Sequence, residues 1–178
     1  MRNVFDSKFV LRALKLLDEK LKANGKGQVR LLVGGGGALI AVHNFAGVTT
    51  DIDAVVVGGS LFEIETEIRE VQQELSLSGD WINPHYSTFT IYLPDDFQTR
   101  TKCLYAGVSL TANALGAEDL LIMKFMAGRN KDLPHLRFLM RSGADLSVVE
   151  KRLEELTKLF PNLADKALEL LDELSEEL

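Results

Sequence analysis

The sequence predicts an α+β protein: a mixed sheet of about four or five strands, flanked by helices, with a helical C-terminal third. Three observations predict it. Short runs rich in β-branched residues, Val29 to Val33 and Asp51 to Val57, alternate with stretches of helical periodicity. Two further stretches, Trp81 to Leu93 and Lys102 to Leu115, are rich in strand-forming residues and are bounded by turns at Asn83-Pro84 and Pro94-Asp95. Beyond Gly116 the apolar residues recur only at helical spacing. At roughly 100 to 200 residues per domain, the 178 residues divide into a core with its N-terminal helix over 1–142 and a helical extension packed on it over 143–178.

The elements follow in order. Phe5, Phe9, Val10, Ala13, Leu16, Leu17 and Leu21 make residues 3–24 an amphipathic helix that Asn24-Gly25 stops. Val29 to Val33 is a buried strand leading into Gly34-Gly35-Gly36-Gly37, and Ala38 to Ala46 is a short buried helix closed by Gly47. Asp51 to Val57 is the second strand, ended by Gly58-Gly59, and Leu61 to Leu75 the next helix. Glu118 and Asp119 suit the N-terminus of a helix that ends near Gly128. Pro134 lies in the first turn of a helix stopping at Ser142-Gly143, and Ser147 with Glu150 spells a capping box for another. Pro161 separates that helix from a final one carrying Leu163, Ala167, Leu170, Leu171 and Leu174.

Composition narrows the function. Hydrophobic residues make up 46% of the chain, enough for a core without disulfides or a structural metal. Cys103 is the single cysteine, which excludes a disulfide framework and a cysteine zinc site and suits a reducing compartment. Leu31 to Thr50 carries no charge, but its four glycines with His43 and Asn44 do not suit a bilayer helix. Asp6 and Lys8 stand where a signal peptide needs an apolar run, so the cytoplasm is the expected location, with no membrane partner. A formal charge of −6 argues against coating DNA through the whole surface. The charge is uneven: Lys124, Arg129, Lys131, Arg137 and Arg141 share their stretch with one acid, Asp132, whereas Glu169 to Leu178 holds acids and no base.

The chemistry concentrates in Val33 to Val57. Glycines between a strand and a helix let the backbone approach a ligand closely, and free amides at the helix start favour a phosphate. Packing of a tight turn is the plainer reading of the glycines alone. Asp51 and Asp53, two apart on a strand, point to one face while Ile52 points to the other. Paired carboxylates repel unless a cation joins them, and oxygen ligands suit Mg²⁺ or Mn²⁺. A P-loop is excluded because no Gly-Lys-Ser/Thr follows the glycines; a dinucleotide fingerprint is excluded by Leu39 and by acids that open rather than end the second strand.

Gly35-Gly36-Gly37-Ala38-Leu39 followed by Thr49-Thr50-Asp51-Ile52-Asp53 resembles the pattern of the DNA polymerase β-type nucleotidyltransferase superfamily. Within it the chain is similar to small bacterial proteins that include AbiEii-type toxins of toxin–antitoxin modules; Glu118 to Lys124 with Arg129-Asn130-Lys131-Asp132 is similar to their later helix. The resemblance covers roughly residues 29–140. It implies a nucleotidyltransferase fold, Mg²⁺ (or Mn²⁺) on Asp51 and Asp53, and triphosphate at Gly35, Gly36 and Gly37. It further implies nucleotide or acceptor contacts at Lys124, Arg129 and Asp132, with Asp51, Asp53 and Lys124 as the catalytic set.

Four features depart from the pattern. Gly37 replaces a Ser or Thr, Gly47 an Arg and His135 an acid, and Tyr105 to Leu115 offers no third carboxylate; Asp95 and Asp96 read as turn residues. Two functions therefore stand side by side. One is an enzyme moving a nucleoside monophosphate from a nucleoside triphosphate to a hydroxyl on RNA, protein or a small molecule. The other is a nucleotide- or RNA-binding module without transfer, or a toxin-like half masked by an antitoxin. A third reading, a dimer formed through the C-terminal helix, rests on leucines that suit an intramolecular core equally. The remaining aromatics, Trp81, Tyr86, Phe89 and Tyr92, read as sheet packing, Cys103 as a buried apolar residue, and the histidines as lacking metal-ligand spacing.

Overall fold

The computed structural model describes residues 4–178. The start of the first helix at residue 3 lies outside them. The protein consists of two compact units, one formed by residues up to Ser87 together with Thr101–Leu115, the other by Thr88–Arg100 together with Gly116–Leu178.

The first unit holds the sheet. Its elements are helix α1 (Ser7–Ala23), strand β1 (Val29–Val33), helix α2 (Gly35–Val42), strand β2 (Ile52–Val56), helix α3 (Glu65–Glu74), and strands β3 (Ile82–Asn83), β4 (Lys102–Ala106) and β5 (Leu110–Ala114). The five strands lie in the order β3-β2-β1-β5-β4. The sheet is mixed: β1 is antiparallel to β2 and parallel to β5, β2 is parallel to β3, and β4 and β5 form an antiparallel hairpin. Helices α1 and α2 pack against it, as the α+β reading expects.

Burial follows the apolar pattern. Phe5, Val10, Leu14, Leu17 and Leu21 are fully buried, as are Val33, Leu39, Ile52, Trp81 and Leu110. The buried Asp18 of α1 accepts from Ser109 N (2.6 Å), Val108 N (3.2 Å) and Tyr105 Oη (3.1 Å), fastening α1 to the β4–β5 turn. His43, also buried, donates from Nε2 to the Leu115 carbonyl at 2.9 Å.

The second unit is helical: α4 (Ala117–Ala127), α5 (Leu133–Arg141), α6 (Leu146–Leu156) and α7 (Pro161–Ser175), with 3-10 turns at Ser87–Tyr92, Phe97–Arg100 and Asn130–Asp132. Six apolar side chains of α4 in succession from Leu120, interrupted only by Lys124, are buried among the other helices. Gly128 ends α4 in the left-handed conformation, φ +58°.

Several local expectations are corrected. Of Trp81–Leu93 only Ile82–Asn83 is strand; Pro84 lacks an N–H and ends the pairing, and the aromatics beyond it form a 3-10 turn. Trp81 and Tyr86 are buried as expected, but Phe89 and Tyr92 pack within the second unit, Tyr92 edge-on to Phe160 at 5.2 Å. Helix α2 begins at Gly35, not Ala38, because the glycines themselves form its first turn. Leu61–Ile64 is a 3-10 turn before α3, opened by a capping box of Ser60 and Glu63. Asp145, not Ser147, caps α6, accepting from Ser147 N at 3.0 Å. Cys103 is exposed on β4, the strand at one edge of the sheet, and Leu163 is half exposed. No helix among the described residues is long and apolar enough to cross a membrane.

Candidate active site

Strands β1 and β2 set the first group of residues. Val33 pairs with Ala54, so the glycine turn leaving β1 lies beside the start of β2, and Gly34 N donates to the Asp53 carbonyl at 2.9 Å. The burial of Ile52 and Ala54 turns Asp51 and Asp53 to the opposite, half-buried face.

Gly35 adopts φ +55°, and a Cβ there would fall on the Asp53 carboxylate. A Cβ on Gly36 would meet Thr49 Oγ1 at 2.7 Å. Thr49 is itself pinned by paired backbone bonds with Phe5, 2.7 and 3.0 Å. Gly35 is thus required by the approach of backbone to carboxylate and Gly36 by the packing of Thr49, and α2 starts with amides that have no intrahelical partner beside two acids. Gly37 differs: its missing Cβ would meet Val33 and Ile52 no closer than 3.6 Å, so a methyl group fits there in ordinary van der Waals contact.

A third ligand type joins the acids. One ligand atom each from Asp51, Asp53 and His85 lie within 4.8 Å of one another. Opposite ligands of an ion such as Mg²⁺ or Mn²⁺, with bonds of about 2.1 Å, stand about 4.2 Å apart, so small side-chain adjustments bring this set to one centre. Asp51 is held by Asn83 Nδ2 (3.0 Å to Oδ2), and Asn83 Oδ1 accepts from His85 N at 2.9 Å. The Tyr86 hydroxyl donates to the Leu32 carbonyl at 2.6 Å; burial first, and then the Asp53 charge, push its pKa well above that of an ordinary phenol.

The other predicted residues belong to the second unit. Lys124 Nζ lies 2.6 Å from Asp132 Oδ1, with both side chains buried. Arg129 Nε donates to Asp132 Oδ2 at 2.7 Å, its guanidinium standing over the Phe89 ring at 5.8 Å, and His135 Nδ1 is 3.4 Å from Asp132 Oδ1. Burial would raise the Asp132 carboxyl pKa, but the hydrogen bonds from His135, Lys124 and Arg129 outweigh it and hold it well below the carboxylate range. Asp132 occupies the N-cap position of α5 yet makes no capping bond, because its oxygens serve these cations. Gly128 ends the helix, so Lys124 and Lys131 do not share one, and Lys131 is exposed.

The sequence-predicted residues thus gather in two clusters, Gly35, Gly36, Gly37, Asp51 and Asp53 in the first unit and Lys124, Arg129 and Asp132 in the second. Sequence spacing passed over His85 and Asn83, which reach the acids only through the β2–β3 pairing. Asp96 of the Pro94–Arg100 turn is paired with Arg100 at 2.9 Å. Arg100 also holds the fully buried Asp119, whose pKa burial raises despite that partner.

Comparison with curated proteins and with solved structures returned no match. A family model described as "nucleotidyltransferase of unknown function (DUF6036)" matches residues 12–172. That span takes in the glycine turn, the Asp-x-Asp strand and the Lys124–Asp132 cluster, and the chain belongs to this nucleotidyltransferase family.

Proposed function

We propose that this nucleotidyltransferase transfers a nucleoside monophosphate from a nucleoside triphosphate to a hydroxyl acceptor on RNA, protein or a small molecule. The observation that carries the reading is the glycine turn seated against the Asp53 carboxylate, with Asp51 and His85 beside it. The donor set fits a divalent ion, for which Asp51 and Asp53 are the carboxylate ligands. Such an ion, Mg²⁺ or Mn²⁺, supplies charge neutralisation at the triphosphate. The amides from Gly35 to Gly37 bind phosphate oxygens, and the absence of side chains lets the phosphates lie close to the turn. In the transfer the acceptor hydroxyl gives its proton to solvent and its oxygen bonds to the α-phosphorus, while the bond to the bridging oxygen breaks and pyrophosphate leaves. Lys124 and Arg129 neutralise phosphate charge in this proposal, and Asp132 positions both.

The reading includes a cytoplasmic location, where triphosphate and Mg²⁺ are at hand. The resemblance to AbiEii-type proteins extends it to a toxin with an antitoxin partner. A second reading, a module that binds nucleotide without transferring it, is favoured by the later strands Lys102–Ala106 and Leu110–Ala114, which carry no acid that could serve as base.

A thermal-shift titration with each of the four ribonucleoside triphosphates, with and without Mg²⁺, tests the proposal on wild type and Asp51→Asn. Stabilisation that needs both Mg²⁺ and Asp51, followed by pyrophosphate release when an acceptor is added, is the expected result. Stabilisation without pyrophosphate release selects the binding module. No stabilisation by any triphosphate overturns both.

A further inference from the structure

We propose that His85 is a protein ligand of the Asp51–Asp53 centre and that its imidazole turns the site toward a transition ion, Mn²⁺ binding in preference to Mg²⁺. This rests on the metal reading above and adds to it a third ligand and a selectivity.

The placement of His85 is built by the fold. Strand β3 runs parallel to β2 with Asn83 opposite Asp53. Asn83, 4% exposed, uses both ends of its amide: Nδ2 donates to Asp51 Oδ2 at 3.0 Å and to the Asp80 carbonyl at 3.3 Å, while Oδ1 accepts from the His85 backbone N–H at 2.9 Å. The last contact is an Asx turn across Pro84, whose ring fixes φ and removes the N–H that would have continued the strand. One buried amide therefore ties the Asp51 carboxylate to the backbone of His85. Among the described residues the exposed imidazole makes no hydrogen bond, and one of its nitrogens lies within 4.8 Å of oxygens of both acids.

Donor chemistry gives the selectivity. Mg²⁺ is a hard ion best served by carboxylates, phosphates and water, whereas imidazole nitrogen suits first-row transition ions. Mn²⁺ accepts both donor types and so fits two carboxylates and an imidazole better than Mg²⁺ does.

The test uses Mn²⁺ alone as the probe. Wild-type protein is titrated while free Mn²⁺ is followed by electron paramagnetic resonance, and the bound ion is examined by pulsed methods for nitrogen hyperfine coupling. Bound Mn²⁺ with an imidazole coupling is expected. His85→Ala, which leaves the backbone bond to Asn83 in place, is expected to lose the coupling and to weaken Mn²⁺ by about tenfold while Mg²⁺ affinity changes little. His85→Asp should bring the affinities for the two ions closer together. Bound Mn²⁺ without nitrogen coupling in wild type, or coupling that survives in His85→Ala, overturns the role of His85 alone. Absence of Mn²⁺ binding, or binding indifferent to Asp51→Asn, overturns the metal reading and this proposal with it.

Discussion

Two glycines of the same turn, Gly35 and Gly37, do different things. Gly35 sits in the left-handed region with its backbone against Asp53, so Gly35→Ala combines backbone strain of about 1–2 kcal/mol with a collision at the carboxylate. Chemical denaturation should show that loss, and calorimetry should show Mn²⁺ binding abolished. Gly37 has room for a Cβ, which would rest on Val33 and Ile52. Gly37→Ala, which adds only that Cβ, should change stability by less than about 1 kcal/mol in the same denaturation. A loss as large as that of Gly35→Ala would show that the turn has no room at Gly37.

The elements are held in place by buried acids used in opposite ways. Asp18 spends its carboxylate on two backbone amides and a phenol, fixing α1 to the β4–β5 turn, and a Cβ on Gly107 would strike it. Asp18→Ala leaves the Ser109 and Val108 amides unpaired and should destabilise the protein by about 3 kcal/mol in a urea titration. Asp132 spends its carboxylate on Lys124 and Arg129, and Asp132→Asn, which strands a buried ammonium, should cost about 3–5 kcal/mol. The direction of the Asp132 shift also sets a pH dependence. Its folded-state pKa lies below the unfolded value of about 3.9, so its contribution is complete above about pH 4 and is lost as pH falls through the folded value. Asp119 acts in the opposite sense: with its pKa raised, its contribution falls as pH rises from the unfolded value through the folded one. The melting temperature of wild type should drop below pH 4, and Asp132→Asn should flatten part of that slope.

At the scale of the whole molecule the chain passes between its two units after Ser87, Arg100 and Leu115. Segment 88–100 depends on residues far along the sequence: Arg152 donates to the Tyr92 and Leu93 carbonyls at 2.9 Å each, Phe160 packs on Tyr92, and Asp119 holds Arg100. A chain ending at Leu115 keeps every strand and loses all of these partners. Hydrogen exchange should then find the amides of 88–100 unprotected in the truncated protein and protected in the full one. Equal protection in both would mean that the segment is ordered without helices α4 to α7.

The α+β class, strands β1 and β2, the glycine turn, the face shared by Asp51 and Asp53, and helices α4, α5 and α7 with their breaks at Gly128, Ser142 and Pro161 were determined by the sequence itself. These depend on side-chain periodicity, on glycine and proline geometry, and on alternation along a strand, all of which act within a few residues. Only the tertiary structure decided what depends on pairing across distance. Asn83 and His85 come to the acids because β3 pairs with β2, and a two-residue strand stopped by Pro84 leaves no periodic trace. The exposure of Cys103 follows from the edge position of β4, which its apolar neighbours do not reveal. Lys124 and Asp132 were both visible in the sequence, but their pairing was not: Gly128 turns the chain out of α4, and burial of both side chains then makes an unpaired charge at either one too costly to keep.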